Sequence, residues 1–317
     1  MRTRSDVKEE RAYSTYGLKS EGLREALDKA LRGHLDDLRR LLARHGNLPS
    51  SCPNLELGAA FGVEIASQRR DVTALLTALA ATPADGETAD VFVPIAAAYG
   101  WVALLRASGD NQAAWNALHE FLADERAPVC MGVQDACVRL CGHPGQSDRL
   151  LTQALHWMDS DARGFQFGVL ARIAEIFGKK TVLANLADKS GLREFLSGVL
   201  AAVSDAPRSA SRLDSYRQLL TALPGCLAAC VASAGSTSPL AHTTHTWLKN
   251  ECTIAHHAPV RDVLSEAIMQ LRASARGQAT GALDGFRAAL AGSAKPPRDP
   301  TRIRPGQGRG RRSRQIR

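Results

Sequence analysis

Four histidines and one cysteine lie between residues 242 and 257, the densest group of metal-ligating residue types in the chain. Imidazole and thiolate groups bind zinc when three or four of them converge. His242 and His245 are three residues apart, so a helix would place them on one face. The spacing matches no established zinc motif, and the sequence therefore predicts no metal or cofactor. If a site did form, its ligands would be His242, His245, Cys252 and His256.

A second group of residues with chemical potential combines a tryptophan with two carboxylates, at Trp157, Asp159 and Asp161. A carboxylate beside an aromatic surface can stabilise a developing cation electrostatically. The two acids also stand where a new helix begins, and carboxylates cap the unpaired N–H groups of a first helical turn. Trp157 itself falls on an apolar stripe. The pattern favours cap and core roles, with a catalytic role as the alternative.

The excess positive charge of the chain is confined to its C-terminus. The formal net charge is +8, and residues 295–317 supply all of it, with eight Arg and one Lys against one Asp. Residues 1–294 sum to zero and have no overall excess of positive charge to attract polyanions. The last part resembles Arg/Gly segments that bind nucleic acid through phosphate contacts. We expect polyanion contacts from Arg309, Arg311, Arg312 and Arg314.

Established catalytic signatures do not occur in the sequence. The segment Gly178-Lys179-Lys180-Thr181 lacks the upstream glycine of a phosphate-binding loop. There is no Gly-x-Ser-x-Gly elbow and no His-Glu-x-x-His helix. The sequence thus gives no positive indication of an enzyme.

The cysteines and the apolar runs bear on the cellular location. Seven cysteines form no Cys-x-x-Cys pair and are odd in number, which favours free, mostly buried thiols in a reducing compartment. The N-terminal 20 residues are polar and lack the apolar core of a secretory signal. The longest uncharged apolar run, residues 91–105, spans about 23 Å as a helix, less than the ~30 Å of a bilayer core. We predict a cytoplasmic protein without a membrane segment.

The elements that must position these residues are predicted to be helices. Alanine and leucine supply most of the apolar mass, and runs of alternating β-branched residues are missing. Opening helices begin near residues 54, 90, 126 and 162, a period of about 36 residues. Such a period is typical of an α-solenoid, because one helix pair cannot bury its own apolar face. Farther along, Pro224 predicts a boundary between helices over 213–223 and 224–234, and a last helix is expected over 282–290.

One helix of this pattern occurs twice. Residues 127–141 and 258–272 both begin Ala-Pro-Val and place an alanine, a leucine and an acid at equivalent positions. The second copy resembles the opening helix of the HEAT-repeat family through Pro259, Val260, Arg261, Ala267 and Leu271. In the first copy Cys130 stands at the position of Arg261. The resemblance covers about residues 21–275 and implies an all-α, right-handed α-solenoid of antiparallel helix pairs.

The predicted organisation has three parts: a polar flexible arm over residues 1–18, the HEAT-like solenoid over 19–275, and a small, basic, largely disordered extension over 276–317. The resemblance implies a scaffold whose second helices form a concave surface for a macromolecular partner, most simply a protein. The side chains expected on that surface are Arg106, His119, Arg149 and His156. No pattern indicates an oligomeric state.

The same resemblance implies an alternative function. HEAT-like DNA alkylation-repair glycosylases combine aromatic side chains with a carboxylate on the concave surface. In this chain Asp159 or Asp161, with Trp157, would then assist the loss of an alkylated base, and the basic tail would add affinity for DNA. No motif ties these three residues to that activity specifically.

Overall fold

The computed structural model describes residues 20–49, 52–108, 111–160, 166–234, 239–274 and 280–293. This part of the chain is entirely helical and contains no strand, so the predicted all-α class is confirmed. In chain order the helices are α1 (Ser20–Ala30), α2 (Leu35–His45), α3 (Leu55–Ala66), α4 (Thr73–Ala80), α5 (Phe92–Ser108), α6 (Gln112–Leu122), α7 (Ala127–Cys141), α8 (Gln146–Ser160), α9 (Phe167–Phe177), α10 (Lys180–Ala184), α11 (Lys189–Asp205), α12 (Asp214–Ser233), α13 (Pro239–Ile254), α14 (Ala258–Ser274) and α15 (Thr280–Gly292). Short 3₁₀ turns form at Ala89–Val91 and Arg208–Arg212.

Helix boundaries follow local sequence signals. At the start of α6 the Asn111 side chain accepts a hydrogen bond from the Ala114 backbone N–H at 3.1 Å, which satisfies one unpaired donor of the first turn. In α7, Pro128 occupies the first turn, where no backbone donor is required. The turn after α7 contains Gly145 at a φ of 75°, a conformation that glycine adopts without steric cost.

The longest helices pack in an order that follows the chain. Helices α3, α5, α7, α9, α12 and α14 form one row, in which each helix packs against the next. Helices α8, α11, α13 and α15 pack in the same sequential manner and lie beside this row. The buried apolar side chains form one continuous core that extends from Leu23 to Leu290. Most of the packing is therefore between helices that lie close to each other in the chain, and the most extensive contacts join alternate long helices.

The structure differs from the sequence prediction at Pro224. Helix α12 continues from Asp214 to Ser233 with the proline inside it, instead of forming two helices. Proline removes one backbone hydrogen bond and crowds the preceding turn, at a cost of about 3 kcal/mol. Leu219 and Leu223 before the proline and Leu227 after it are all fully buried. Burial of one apolar stripe along both segments offsets that cost.

The C-terminal end of the described fold also extends past the boundary expected at residue 275. Helix α15 packs against α13 and α14, and it buries Leu283, Phe286 and Leu290. These three side chains recur at three- and four-residue spacing, which gives the helix an apolar face to bury. The residues beyond 293 lie outside the described part of the chain.

One helical segment is apolar enough to raise the question of a membrane span. Ala89–Ala107 comprises 19 residues and, among the described residues, is the one stretch long and apolar enough by length and composition to cross a bilayer. It is longer than the 15-residue run considered in the sequence. In the structure 78% of it is buried inside the protein, as expected for a core helix surrounded by other helices.

Candidate functional site

An apolar groove of about 230 Å³ opens between α6, α8, α9 and α11. Trp157 on α8 lies at its wall, with 8% of its surface exposed. The indole contacts Trp115 edge-on at a centroid distance of 6.3 Å and the His119 ring at 5.0 Å. Among the described residues, the lining consists of His119, Ala154, Trp157, Met158, Gln166, Val169, Leu170, Ile173, Gly198, Ala202 and Asp205.

The groove includes one of the four side chains expected on the partner-binding surface. His119 is half-buried against Trp157, whereas Arg106, Arg149 and His156 are exposed and do not line it. Arg149 and His156 are seven residues apart on α8 and lie on one face of that helix. Arg106 lies near His143 in the turn after α7. Burial of the His143 ring and, to a smaller extent, the charge of Arg106 lower the pKa of His143.

The groove contains a different carboxylate from the two that the sequence offered for catalysis. Asp159 is exposed and does not line the groove, and the carboxylate found there is that of Asp205. Trp157 and Asp205 are 48 positions apart in the sequence, so their spacing gave no signal for this pair. Asp161 lies outside the described residues, as do the tail residues Arg309, Arg311, Arg312 and Arg314.

The structure does not bring together the four residues considered as metal ligands, His242, His245, Cys252 and His256. The His245 ring packs edge-on against Phe286 at 5.7 Å. Cys252 is fully buried, and burial raises the pKa of its thiol to about 12. The Nδ1 atom of His256 lies 3.0 Å from the Ser293 carbonyl oxygen. Throughout the described ranges no group of three or more His, Cys, Asp or Glu is placed to hold a metal ion.

Sequence reasoning missed a buried charge on α9. Arg172 is only 6% exposed within a helix whose other inward-facing residues are apolar. Its Nη2 atom donates to the Asp124 carbonyl oxygen at 2.7 Å and lies 2.6 Å from the Cys130 Sγ atom. A signal was present, because helical spacing places Arg172 on the same face as the apolar Val169 and Ile176.

The environment of Cys130 explains why this position differs between the two copies of the repeated helix. The Cys130 thiol donates to the Asp124 carbonyl oxygen at 3.2 Å. In the second copy the equivalent Arg261 lies 3.5 Å from the equivalent carbonyl oxygen, that of Ala255. A small side chain at 130 leaves space beside this carbonyl, and Arg172 from the next helix of the row fills it. In both copies an arginine lies beside this carbonyl oxygen, but in the first copy it comes from another helix.

Comparisons with known proteins give no relative for the chain: no family model, no curated protein and no solved structure matches it. The fold and the groove therefore define its class. In the described residues it is an all-α protein with sequentially packed helices, an aromatic-walled apolar groove and a buried arginine beside that groove.

Proposed function

We propose that the protein is a HEAT-like repeat scaffold, in which the helix pairs continue as a right-handed α-solenoid. Two observations support this arrangement. Long helices of one row pack in chain order, as expected when each repeat contacts mainly its neighbours. The duplicated helix also makes equivalent contacts in its two copies, from Cys130 to Asp124 and from Arg261 to Ala255.

The proposed activity is binding of a protein segment in the groove beside Trp157. The observation behind it is the chemistry of the lining, which among the described residues is mainly apolar and includes one carboxylate, Asp205, but no Lys or Arg. Duplex DNA requires cationic side chains to replace its counterions. Protein interfaces instead bury aromatic and methionine side chains in desolvated pockets. A partner segment with one apolar anchor side chain fits this lining, with Arg149 and His156 exposed on the same helix as Trp157.

A DNA alkylation-repair glycosylase is the alternative, and the pairing of Trp157 with a carboxylate in one groove favours it. That function requires release of an alkylated purine from methylated DNA. The release should then be lost on changing Asp205, Asp159 or Asp161 to Asn. Absence of release at high protein concentration would leave the binding scaffold.

Filling the groove is expected to abolish partner binding without unfolding the protein. Ala202 is half-buried in the lining, so Ala202→Trp places an indole in the groove and leaves the core side chains in place. We expect at least about a tenfold loss of the polypeptides captured from a native extract, because the anchor pocket of an interface supplies most of the affinity. Capture is measured by quantitative mass spectrometry after affinity purification.

The matched control is Ala113→Trp, which adds the same side chain at an exposed position on α6 outside the groove lining. This variant should capture the same polypeptides as the wild-type protein. An identical set from all three proteins, or a set that disappears on nuclease treatment, would contradict the proposed protein-binding groove.

The basic tail is proposed to add contacts with polyanions. Deletion of residues 295–317 removes nine basic residues and one acid. We expect most of any affinity for a random-sequence DNA duplex to be lost, and the logarithm of the remaining affinity to vary far less with the logarithm of salt concentration. Fluorescence anisotropy between 50 and ~200 mM salt measures both quantities. Replacing the eight tail arginines by lysine is the control, since it keeps the charge and should keep the salt slope.

A further inference from the structure

The Arg172 guanidinium is a buried cation without a counter-charge among the described residues. It forms no ion pair there, and its bonded neighbours are the neutral Asp124 carbonyl and the Cys130 thiol. The Asp124 carboxylate is engaged by Arg126 at 2.6 Å. Burial raises the pKa of the Cys130 thiol, against a smaller opposite effect of Arg172, so this sulfur stays neutral at physiological pH. An unneutralised buried charge costs free energy, which an incoming anion would offset.

Arg172 lies at the wall of a cavity of about 570 Å³ that has room for such an anion. The cavity is lined by the beginnings of α9 and α12 and by the turn before α7. The residues before α9 and α12, Gln166 and Leu213, provide no side-chain cap, and the N-terminus of a helix carries a partial positive charge. A Cβ atom added at Gly168 would lie 2.9 Å from the Arg172 Nη1 atom. The guanidinium therefore lies against the positive end of α9.

The charges around the cavity favour a monoanion. Arg172 and Arg212 line it together with Glu125 and Asp214. Asp214 is paired with Arg217, which does not line the cavity, so the described residues leave about one positive charge to be neutralised. A carboxylate matches that charge and the planar fork of a guanidinium. A phosphate dianion would exceed it.

A second buried polar group in the cavity wall further restricts the chemistry of the ligand. The Oε1 atom of Gln166 is buried and accepts no hydrogen bond from the described residues. Gln166 lines both the cavity and the apolar groove, as does Val169, so the two spaces meet at the start of α9. A buried amide oxygen needs a hydrogen-bond donor, and a peptide N–H group is such a donor. The ligand should therefore carry an N–H group close to its carboxylate and an apolar part that extends into the groove.

We propose that this cavity binds the carboxyl terminus of a polypeptide. The terminal carboxylate pairs with Arg172 and the first turns of α9 and α12, and a terminal amide N–H donates to Gln166. An apolar side chain of the same segment occupies the groove beside Trp157. This inference rests on the proposed binding function and names the chemical group that the scaffold recognises in its partner.

The test uses the full-length protein, immobilised and exposed to a pool of N-acetylated octapeptides of mixed sequence. One pool has free carboxyl termini, and a second pool is amidated. We expect the free-acid pool to be enriched at least about tenfold over the amidated pool, since a charge-assisted hydrogen bond is lost with the acid. Bound peptides are quantified by mass spectrometry, and the enriched ones should share an apolar residue near the C-terminus.

Two substitutions locate the binding. Arg172→Gln should remove the preference for free acids, and Arg172→Lys should reduce it to about threefold, because lysine keeps the charge but not the fork. Arg208→Gln is the matched control at an exposed site outside the cavity and should leave the preference unchanged. Circular dichroism of each variant establishes that it is folded. If the glutamine variant is not folded, the lysine variant alone is used to locate the binding.

The outcomes separate this inference from the proposed function. Equal retention of acid and amide peptides overturns the inference. Equal binding of N-acetylated single amino acids and octapeptides overturns the polypeptide as the ligand. If the protein shows no preference for free-acid peptides but Ala202→Trp still abolishes capture of polypeptides, only the proposed carboxylate-binding site is contradicted. If acid peptides bind but no polypeptide is captured through the groove, the scaffold function is wrong.

Discussion

Replacing Phe177 with alanine is expected to lower the free energy of unfolding by about 3–5 kcal/mol. Phe177 is fully buried at the end of α9, and its ring packs against that of Phe195 on α11 at a centroid distance of 6.1 Å. Alanine leaves a cavity between these two helices, because neighbouring side chains relax only in part. Urea unfolding followed by circular dichroism measures the change.

The same substitution tests the solenoid arrangement. In a solenoid each repeat contacts its neighbours, so a cavity at a central interface uncouples the two ends of the array. We expect hydrogen exchange to show lost protection in α11 to α15, while α3 to α7 remain protected. Phe286→Ala is the matched control, since Phe286 is 3% exposed but lies on the last described helix, α15. It should expose only that helix and its immediate neighbours. A uniform loss of protection along the whole chain in both variants would contradict a solenoid.

Elements with strong local signals could be predicted from the sequence. The bounds of α7 match the repeated segment, and α6 begins after its asparagine cap, because apolar spacing and capping residues act within one or two helical turns. Pro224 misled the prediction for the same reason. A local rule ends a helix there, whereas the decisive free energy comes from Leu223 and Leu227, which are buried against other helices.

The candidate site was less predictable because its residues come from distant segments. His119 and Trp157 were recognised singly, but their contact depends on how α6 packs beside α8. Arg172 was missed although its position on an apolar face was visible. One sequence cannot tell whether a charge on such a face is buried, or that the Cys130 position leaves the space it fills. These facts depend on tertiary packing and not on residue spacing.

Replacing Cys130 with arginine, the residue at the equivalent position of the second copy, is expected to destabilise the protein by about 3 kcal/mol or more. Cys130→Arg places a second guanidinium where Arg172 already lies, 2.6 Å from the sulfur atom that is replaced. The two like charges repel each other, and the Asp124 carboxylate is already engaged by Arg126. Cys52→Arg is the control, because Cys52 is exposed and the same change there should alter stability by less than ~0.5 kcal/mol.

The double variant Cys130→Arg, Arg172→Ala should recover much of this loss. Removing Arg172 opens the space again, and the new arginine can donate to the Asp124 carbonyl as Arg261 does near Ala255. A double-mutant cycle by urea unfolding should give a favourable interaction of at least about 1 kcal/mol, because the two side chains compete for one place. Strictly additive effects would show that the positions are independent. In that case the presence of the Arg172 guanidinium beside the Asp124 carbonyl would not explain why residue 130 is a cysteine and not an arginine.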